Sequence, residues 1–272
     1  MQNFTMHCHT NFLNIFDGRN SAEEMISEAE KKGFSKIGIS NHLCYHYNQE
    51  QASPMLMNDF SKALEIYQQN SAHIREVAKR HPKIKVCLGY EVDFFPSNRW
   101  RKEFEKMISM LDYDYLIGSV HNVCSSDGEQ VVNLYDVFFH KHIQKAHLVK
   151  EYFPNVYKTQ VESIKSGYFD LIAHLDVYKI FNLGIEEEWN SEKEKVIETL
   201  AKFGQPTELN TSGWNKCGEQ HPDIKTLEKL NKNAVPLIIS DDAHNVERIG
   251  ENFERAEKLL NDINYINRWN FE

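Results

Sequence analysis

The chain has 272 residues, 41% hydrophobic and 26% charged, which is enough apolar material for one large core or two small ones and leaves no sign of disorder. Its net charge of -9 opposes a broad electrostatic footprint for nucleic acid, and no run approaches the roughly 20 apolar residues of a membrane span. No basic-then-apolar leader opens the chain, and Cys8, Cys44, Cys87, Cys124 and Cys217 are odd in number and form no Cys-x-x-Cys pair, so reduced thiols and a cytosolic site of action are expected.

The first apolar run, Asn3-Phe4-Thr5-Met6, leads into His7 and His9, which the two-residue period of a strand puts on one face. Ser21-Ala22-Glu23-Glu24 is a capping box that opens a helix through Met25, Ile26 and Ala29, stopped by Gly33. The next run, Lys36-Ile37-Gly38-Ile39-Ser40, precedes His42. Helical periodicity over 58–80 leads to the run 84–89, before Glu91, and periodicity over 100–110 leads to the run 115–120, before His121. Periodicity over 141–166 then precedes Leu171-Ile172-Ala173 and His174. A helix over 191–203 precedes Thr207-Glu208-Leu209-Asn210. A further helix over 223–233 leads to Pro236-Leu237-Ile238-Ile239-Ser240, followed by Asp242 and His244, and a last helix covers 249–263. Residues 45–58 and 124–133 read as irregular and as shaping the mouth of a pocket.

Short Val-, Ile- and Leu-rich runs of this kind are those of buried parallel strands. Alternating with helices and without a shift in composition, they predict an α/β fold in which one closed barrel spans residues 1–272, with its site at the carboxyl ends of the strands. A doubly wound open sheet is the alternative. Against it, His7-Cys8-His9-Thr10 stands where a Gly-x-Gly-x-x-Gly turn belongs, and almost every strand contributes a polar residue instead of one crevice collecting them.

Imidazole is the commonest protein metal ligand, and a carboxylate can bridge two cations. His7, His9, His42, His121, His174 and His244, with Glu91, Asp242 and Asp17, exceed what one tetrahedral ion can use, so a cluster of about two to three divalent metals, zinc, iron or manganese, is expected. Such a cluster lowers the pKa of a bridging water and clamps the oxygens of a phosphoryl group. Taken singly, a histidine past a strand is more often a hydrogen-bonded pocket residue, and a glutamate there can cap a helix; their joint recurrence favours ligation. His46, His73, His81, His140, His142 and His147 read as solvated, and His221 is left open. Phe94-Phe95 and Phe138-Phe139 read as core or pocket wall, and Glu186-Glu187-Glu188 as a solvated run.

His7-Cys8-His9-Thr10, Ser40-Asn41-His42, Gly89-Tyr90-Glu91-Val92-Asp93, Gly118-Ser119-Val120-His121, Ala173-His174-Leu175-Asp176, Glu208-Leu209-Asn210-Thr211-Ser212-Gly213 and Ser240-Asp241-Asp242-Ala243-His244 occur in one order along nearly the whole chain. This series resembles the polymerase-and-histidinol-phosphatase (PHP) superfamily. The stretches 91–96 and 210–213 favour its histidinol-phosphatase branch over the polymerase-associated exonucleases.

The resemblance implies a distorted seven-stranded, TIM-like (β/α)7 barrel, a trinuclear metal site, and hydrolysis of L-histidinol phosphate to L-histidinol and phosphate in histidine biosynthesis. Position by position, it implies one metal on His7, His9, Glu91 and Asp242. Glu91 would bridge to a second metal on His121 and His174, and a third would sit on His42, His244 and Asp17. A hydroxide between the first two metals would attack phosphorus in line, oriented by Asp242, with Glu91 and His244 completing the catalytic set. Arg19, Lys179 and Lys216 are candidate phosphate contacts. Lys179 and Asn215 stand where relatives often carry arginine, and lysine cannot reproduce a bidentate fork. Two other readings compete: a PHP phosphoesterase acting on another small phosphate monoester, and a noncatalytic metal- or ligand-binding barrel.

Overall fold

Seven strands set the frame, and each after the first follows a helix. The computed structural model describes residues 2–48, 56–133, 153–181 and 190–271. In chain order the strands are β1 (Phe4–Thr5), β2 (Lys36–Leu43), β3 (Lys85–Asp93), β4 (Tyr115–Ser119), β5 (Asn122–Cys124), β6 (Val131–Asn133), β7 (Leu171–Ile172), β8 (Thr207–Asn210) and β9 (Leu237–Ser240). The main sheet runs β1-β2-β3-β4-β7-β8-β9, every neighbouring pair parallel. Its two ends meet. The His9 amide donates to the Ala243 carbonyl at 2.9 Å, the Ala243 amide to the His7 carbonyl at 3.2 Å, and the Gln2 side chain bonds both backbone groups of Ile239. Seven strands therefore form a nearly closed barrel, and the open doubly wound alternative falls.

Helices Ala22–Lys31, Phe60–Ala78, Asn98–Ile108, Pro154–Ser166, Asn190–Phe203, Ile224–Lys232 and Phe253–Asp262 alternate with the strands. The first has the capping box its sequence predicts: the Glu24 amide donates to Ser21 Oγ at 3.3 Å and the Ser21 amide to Glu24 Oε2 at 2.8 Å. Its apolar stripe, Ala22, Met25, Ile26 and Ala29, packs with Ile37, Ile39 and Leu88 of β2 and β3. Met25 and Ile26 are fully buried, which stabilises the helix–sheet contact by about 1.5–3 kcal/mol per side chain. Among the described residues, no helix is long and apolar enough to cross a membrane.

The floor of the barrel is built around Tyr115. Its hydroxyl donates to the Met6 carbonyl at 2.6 Å, and a Cβ at Gly38 or Gly89 would run into its ring. Phe4, Met6, Cys87, Ile117, Leu171, Ala173 and Ile238 complete this inner core. The segment after the last helix seals the amino end. Trp269 donates to the Leu237 carbonyl at 2.8 Å, and the Phe271 ring lies 5.1 Å from that of Tyr115.

Several expectations change in detail. β2 and β3 run on to Leu43 and Asp93, so His42 and Glu91 lie within strands, in direct register, instead of past them. The stretch 124–133 contains half of an antiparallel hairpin, β5–β6, and Tyr45 bridges to Met57 across the other irregular stretch. His46 and His81 are buried, not solvated. His46 Nε2 lies 3.0 Å from the Gly128 carbonyl, and His81 is held between Glu23 at 2.9 Å and Glu30 at 3.2 Å, partners that offset the loss of water. His73 is half-buried and stacks on Phe12. Phe94 and Phe95 are core, as expected. His140, His142, His147, Phe138, Phe139, Glu186, Glu187, Glu188 and the first part of the 141–166 helix lie outside the described residues.

Candidate metal centre

At the carboxyl ends of the strands, seven of the nine candidate ligands are buried side chains and face one another. The extension of β1 supplies His7 and His9, on one face by the strand period; β2 supplies His42, and β3 Glu91. His121, His174, Asp242 and His244 follow β4, β7 and β9, and Asp17 comes from the loop after β1.

Glu91 is the hub. Its Oε2 lies 3.2 Å from His7 Nε2, 3.4 Å from His9 Nε2 and 3.1 Å from His42 Nδ1, and its Oε1 lies 3.4 Å from His121 Nε2 and 3.0 Å from His174 Nε2. Asp242 Oδ1 is 3.2 Å from His9 Nε2, 3.5 Å from His244 Nδ1 and 3.7 Å from His7 Nε2. Asp17 Oδ2 reaches His244 Nε2 at 3.0 Å and His42 Nε2 at 3.4 Å.

Asp17 and His244 share a hydrogen bond, but most of the other contacts lack hydrogen-bond geometry. Among the described residues, His7 Nε2, both ring nitrogens of His9, His42 Nδ1 and both oxygens of Glu91 are buried without a hydrogen-bond partner. Leaving one such atom unsatisfied costs about 1–3 kcal/mol, so their convergence favours a common guest. Bare imidazole nitrogens and carboxylate oxygens pointing at shared spaces are the donor set of divalent cations, and the residues present fit them. Four groups have ligand atoms within 4.8 Å of one another: His9, Asp17, His42 and His244; His7, Glu91 and His174; His7, His9 and Asp242; and His42, Glu91 and His121. All nine predicted ligands are thus brought together. The groups overlap: His9 joins the Asp17 group as well as that of Asp242, and His42 also pairs with His121 around Glu91.

The electrostatics follow from this crowding. Burial pushes the Glu91 carboxyl up, but His7, His42 and His121 hold it well below its usual range. Burial lowers His121, yet Asp93 and Glu91 raise it to about 9. His9 goes the other way, to about 3, through burial and its neighbours His244 and His42. Asp242 adopts φ +48°, the left-handed region, a strained backbone for a non-glycine residue that costs on the order of 1–3 kcal/mol and aims its carboxylate into the cluster.

A supporting layer went unassigned in the sequence. Glu208 accepts from Ser240 Oγ at 2.6 Å and from the His174 amide at 2.9 Å, and lies 3.0 Å from His7 Nδ1. Asp93 accepts from the His121 amide at 2.8 Å and from Cys44 Sγ at 3.0 Å. Asp176 lies 2.8 Å from His221 Nδ1. The available signal was acids inside or just past apolar strands, where burial forbids a charge without partners.

The candidate phosphate contacts separate. Lys216 joins the cluster, its Nζ 3.0 Å from Asp242 Oδ2, beside Ser212 Oγ at 3.3 Å from the same oxygen. Lys179 is engaged by Asp176 at 2.9 Å, Glu219 at 2.7 Å and the Gln220 carbonyl at 3.0 Å. Arg19 is exposed at the mouth, its backbone amide donating to the His244 carbonyl at 2.7 Å. Asn215 bonds Glu251 Oε2 at 2.8 Å.

The PHP domain model matches residues 5–212. A probable histidinol-phosphatase of Deinococcus radiodurans is 29% identical over 185 residues, 66% of this chain and 66% of that protein. One of Clostridium acetobutylicum is 25% identical over 270 residues, 96% of this chain and 94% of that protein. Among solved structures, the histidinol phosphate phosphatase of Lactococcus lactis complexed with zinc, L-histidinol and phosphate superposes with a TM-score of 0.64 at 17% identity, covering 97% of this chain and 95% of that one. That likeness is one of fold.

Proposed function

The chain belongs to the PHP domain family, and on that premise we propose that it is a metal-dependent phosphatase hydrolysing L-histidinol phosphate to L-histidinol and phosphate. One observation carries the reading: the buried, unpartnered nitrogens and oxygens of His7, His9, His42 and Glu91, a convergent donor set that divalent cations satisfy together. The names of the Deinococcus and Clostridium relatives support the substrate, and the zinc of the Lactococcus enzyme supports the metal class.

His7, His9, Asp17, His42, Glu91, His121, His174, Asp242 and His244 would hold about two to three divalent ions, zinc, iron or manganese. Bound there, the ions supply a nucleophile from water at neutral pH and neutralise the phosphoryl oxygens. The chain's own groups do the rest. Glu91 offers one oxygen to each side of the cluster, and Glu208 and Asp93 hold His7 and His121 in place. Asp242, at the edge nearest Lys216, orients the attacking water, and His244 completes this edge with Asp17. Lys216 is 37% exposed at its side chain, so its ammonium can move from Asp242 to a phosphate oxygen. Arg19 would reach phosphate from the rim. Lys179 would do so only by giving up Asp176 or Glu219.

Steady-state kinetics on histidinol phosphate and p-nitrophenyl phosphate test the reading. The expected kcat/KM for histidinol phosphate is at least about 100-fold higher, the discrimination a pocket that recognises substrate polar groups achieves. Equal values would move the substrate to another small phosphate monoester. Metal-replete protein inactive on every monoester and on short single-stranded DNA would favour a noncatalytic barrel.

A further inference from the structure

His221 is completely buried, yet its Nε2 has no hydrogen-bond partner among the described residues. Its backbone is locked to Asn210 at the carboxyl end of β8, amide to carbonyl at 3.0 Å and carbonyl to amide at 2.7 Å. The ring therefore stands at the rim that carries the metal ligands, with its centroid 6.5 Å from that of His174. Its Cδ2 edge faces Gly213, whose Cβ position would lie 2.9 Å away, and Gly213 opens the short turn that presents Lys216.

Asp176 decides which nitrogen of this ring is protonated. Its Oδ2 receives the Lys179 ammonium at 2.9 Å and the Asp223 amide at 2.9 Å, and its Oδ1 faces His221 Nδ1 at 2.8 Å. A carboxylate surrounded by donors is an acceptor only, so His221 Nδ1 carries the hydrogen and Nε2 keeps a bare lone pair. That lone pair lies outside the four metal-ligand groups. It repels the oxygens of a phosphate and attracts an N–H or O–H.

We propose that His221 is a specificity-determining residue whose Nε2 accepts a hydrogen bond from an N–H or O–H donor on the organic half of the phosphate monoester, with Asp176 as its positioning residue. The inference rests on the phosphatase reading and deepens it. The substrate class is a phosphate monoester of an alcohol that also carries an ammonium, a hydroxyl or an N–H heterocycle; histidinol phosphate offers both an ammonium and an imidazole N–H.

Two variants separate this role from a structural one. His221→Asn keeps an amide facing Asp176 and removes the group at Nε2, whereas His221→Gln restores an amide at the Nε2 position. The readout is the ratio of kcat/KM for histidinol phosphate to that for p-nitrophenyl phosphate, which has no donor on its organic half, together with metal content. In His221→Asn the ratio falls roughly 10- to 100-fold, the worth of one well-placed hydrogen bond, with metals retained, and in His221→Gln it recovers in part. An unchanged ratio overturns the inference, as does an equal loss on both substrates accompanied by loss of metal. Should wild type cleave other monoesters but not histidinol phosphate, the substrate assignment fails separately. The same ratio taken between phosphoethanolamine and ethyl phosphate then decides the role of His221 by the same criteria. Wild type that cleaves no monoester removes the phosphatase reading and this inference together.

Discussion

Glu208 holds His7 from behind: its Oε2 lies 3.0 Å from His7 Nδ1, while Nε2 of the same ring faces Glu91 at 3.2 Å. A carboxylate on one ring nitrogen fixes the tautomer and turns the other toward the cluster, the arrangement by which buried acids orient metal-binding imidazoles. Glu208 also receives Ser240 Oγ, the His174 amide and Asn210 Nδ2 at 2.8 Å, so a single side chain ties β8 to the residues that follow β1 and β7 and to the end of β9.

Replacing that carboxylate while keeping its shape isolates its charge. Glu208→Gln is expected to weaken metal binding about 10- to 100-fold, read by competition with a chromophoric chelator, while the circular dichroism of the folded barrel persists. Wild-type affinity in the variant would mean that Glu208 only braces the strands.

The two lysines have opposite roles. Lys216→Ala is expected to lower kcat/KM by about tenfold or more with little change in unfolding midpoint, because the Lys216 side chain is 37% exposed and its partner is a site carboxylate. Lys179→Met removes a cation that is 9% exposed from the buried Asp176 and should destabilise the fold by about 3–5 kcal/mol in urea melts. A larger kinetic than stability effect at Lys179 would restore it as a phosphate contact.

Gly89→Ala tests the floor. A Cβ there meets the Tyr115 ring, which is fixed by its bond to Met6, so overpacking should cost about 1–3 kcal/mol, measured as a lower urea midpoint. An unchanged midpoint would mean that the ring can move aside.

Metal uptake should release protons. In the ion-free chain, burial lowers His7, His42 and His244, but Glu208, Asp17 and Asp242 respectively, with other acids nearby, raise all three, and His121 is raised to about 9. His121 therefore carries its proton at neutral pH, the other three hold theirs to higher pH than a free imidazole, and ligation needs the neutral ring. Metal affinity is therefore expected to fall as pH is lowered from about 9 to 6, with net proton release near pH 7 in weakly buffered titrations. Metal binding without proton release would contradict the ligand set.

The barrel was legible because each strand is an apolar run that ends on a polar residue. Its closure was legible too, from the number of alternating units, but not the contacts that make it, since Ala243 and Gln2 join β9 to β1 and neither has a distinctive pattern. The true ends of β2 and β3 were also hidden. Ser40-Asn41-His42 and Glu91-Val92-Asp93 interrupt the apolar signal where the strands enter the polar site, and they stay extended because Asn41 and Asp93 find buried partners. The ligands could be read as an ordered series. Glu208, Asp93 and Asp176 were hidden because their partners come from distant strands, and the burial of His46 and His81 depended on Gly128, Glu23 and Glu30 in the same way.

The central claim is that Glu91 holds a shared group of cations together. Elemental analysis of purified wild type and Glu91→Ala, with turnover of histidinol phosphate on the same samples, tests it most directly. The account predicts about two to three metals per wild-type chain and a loss of about two, with nearly all turnover, in the variant. A variant that keeps the wild-type metal content and rate would contradict it.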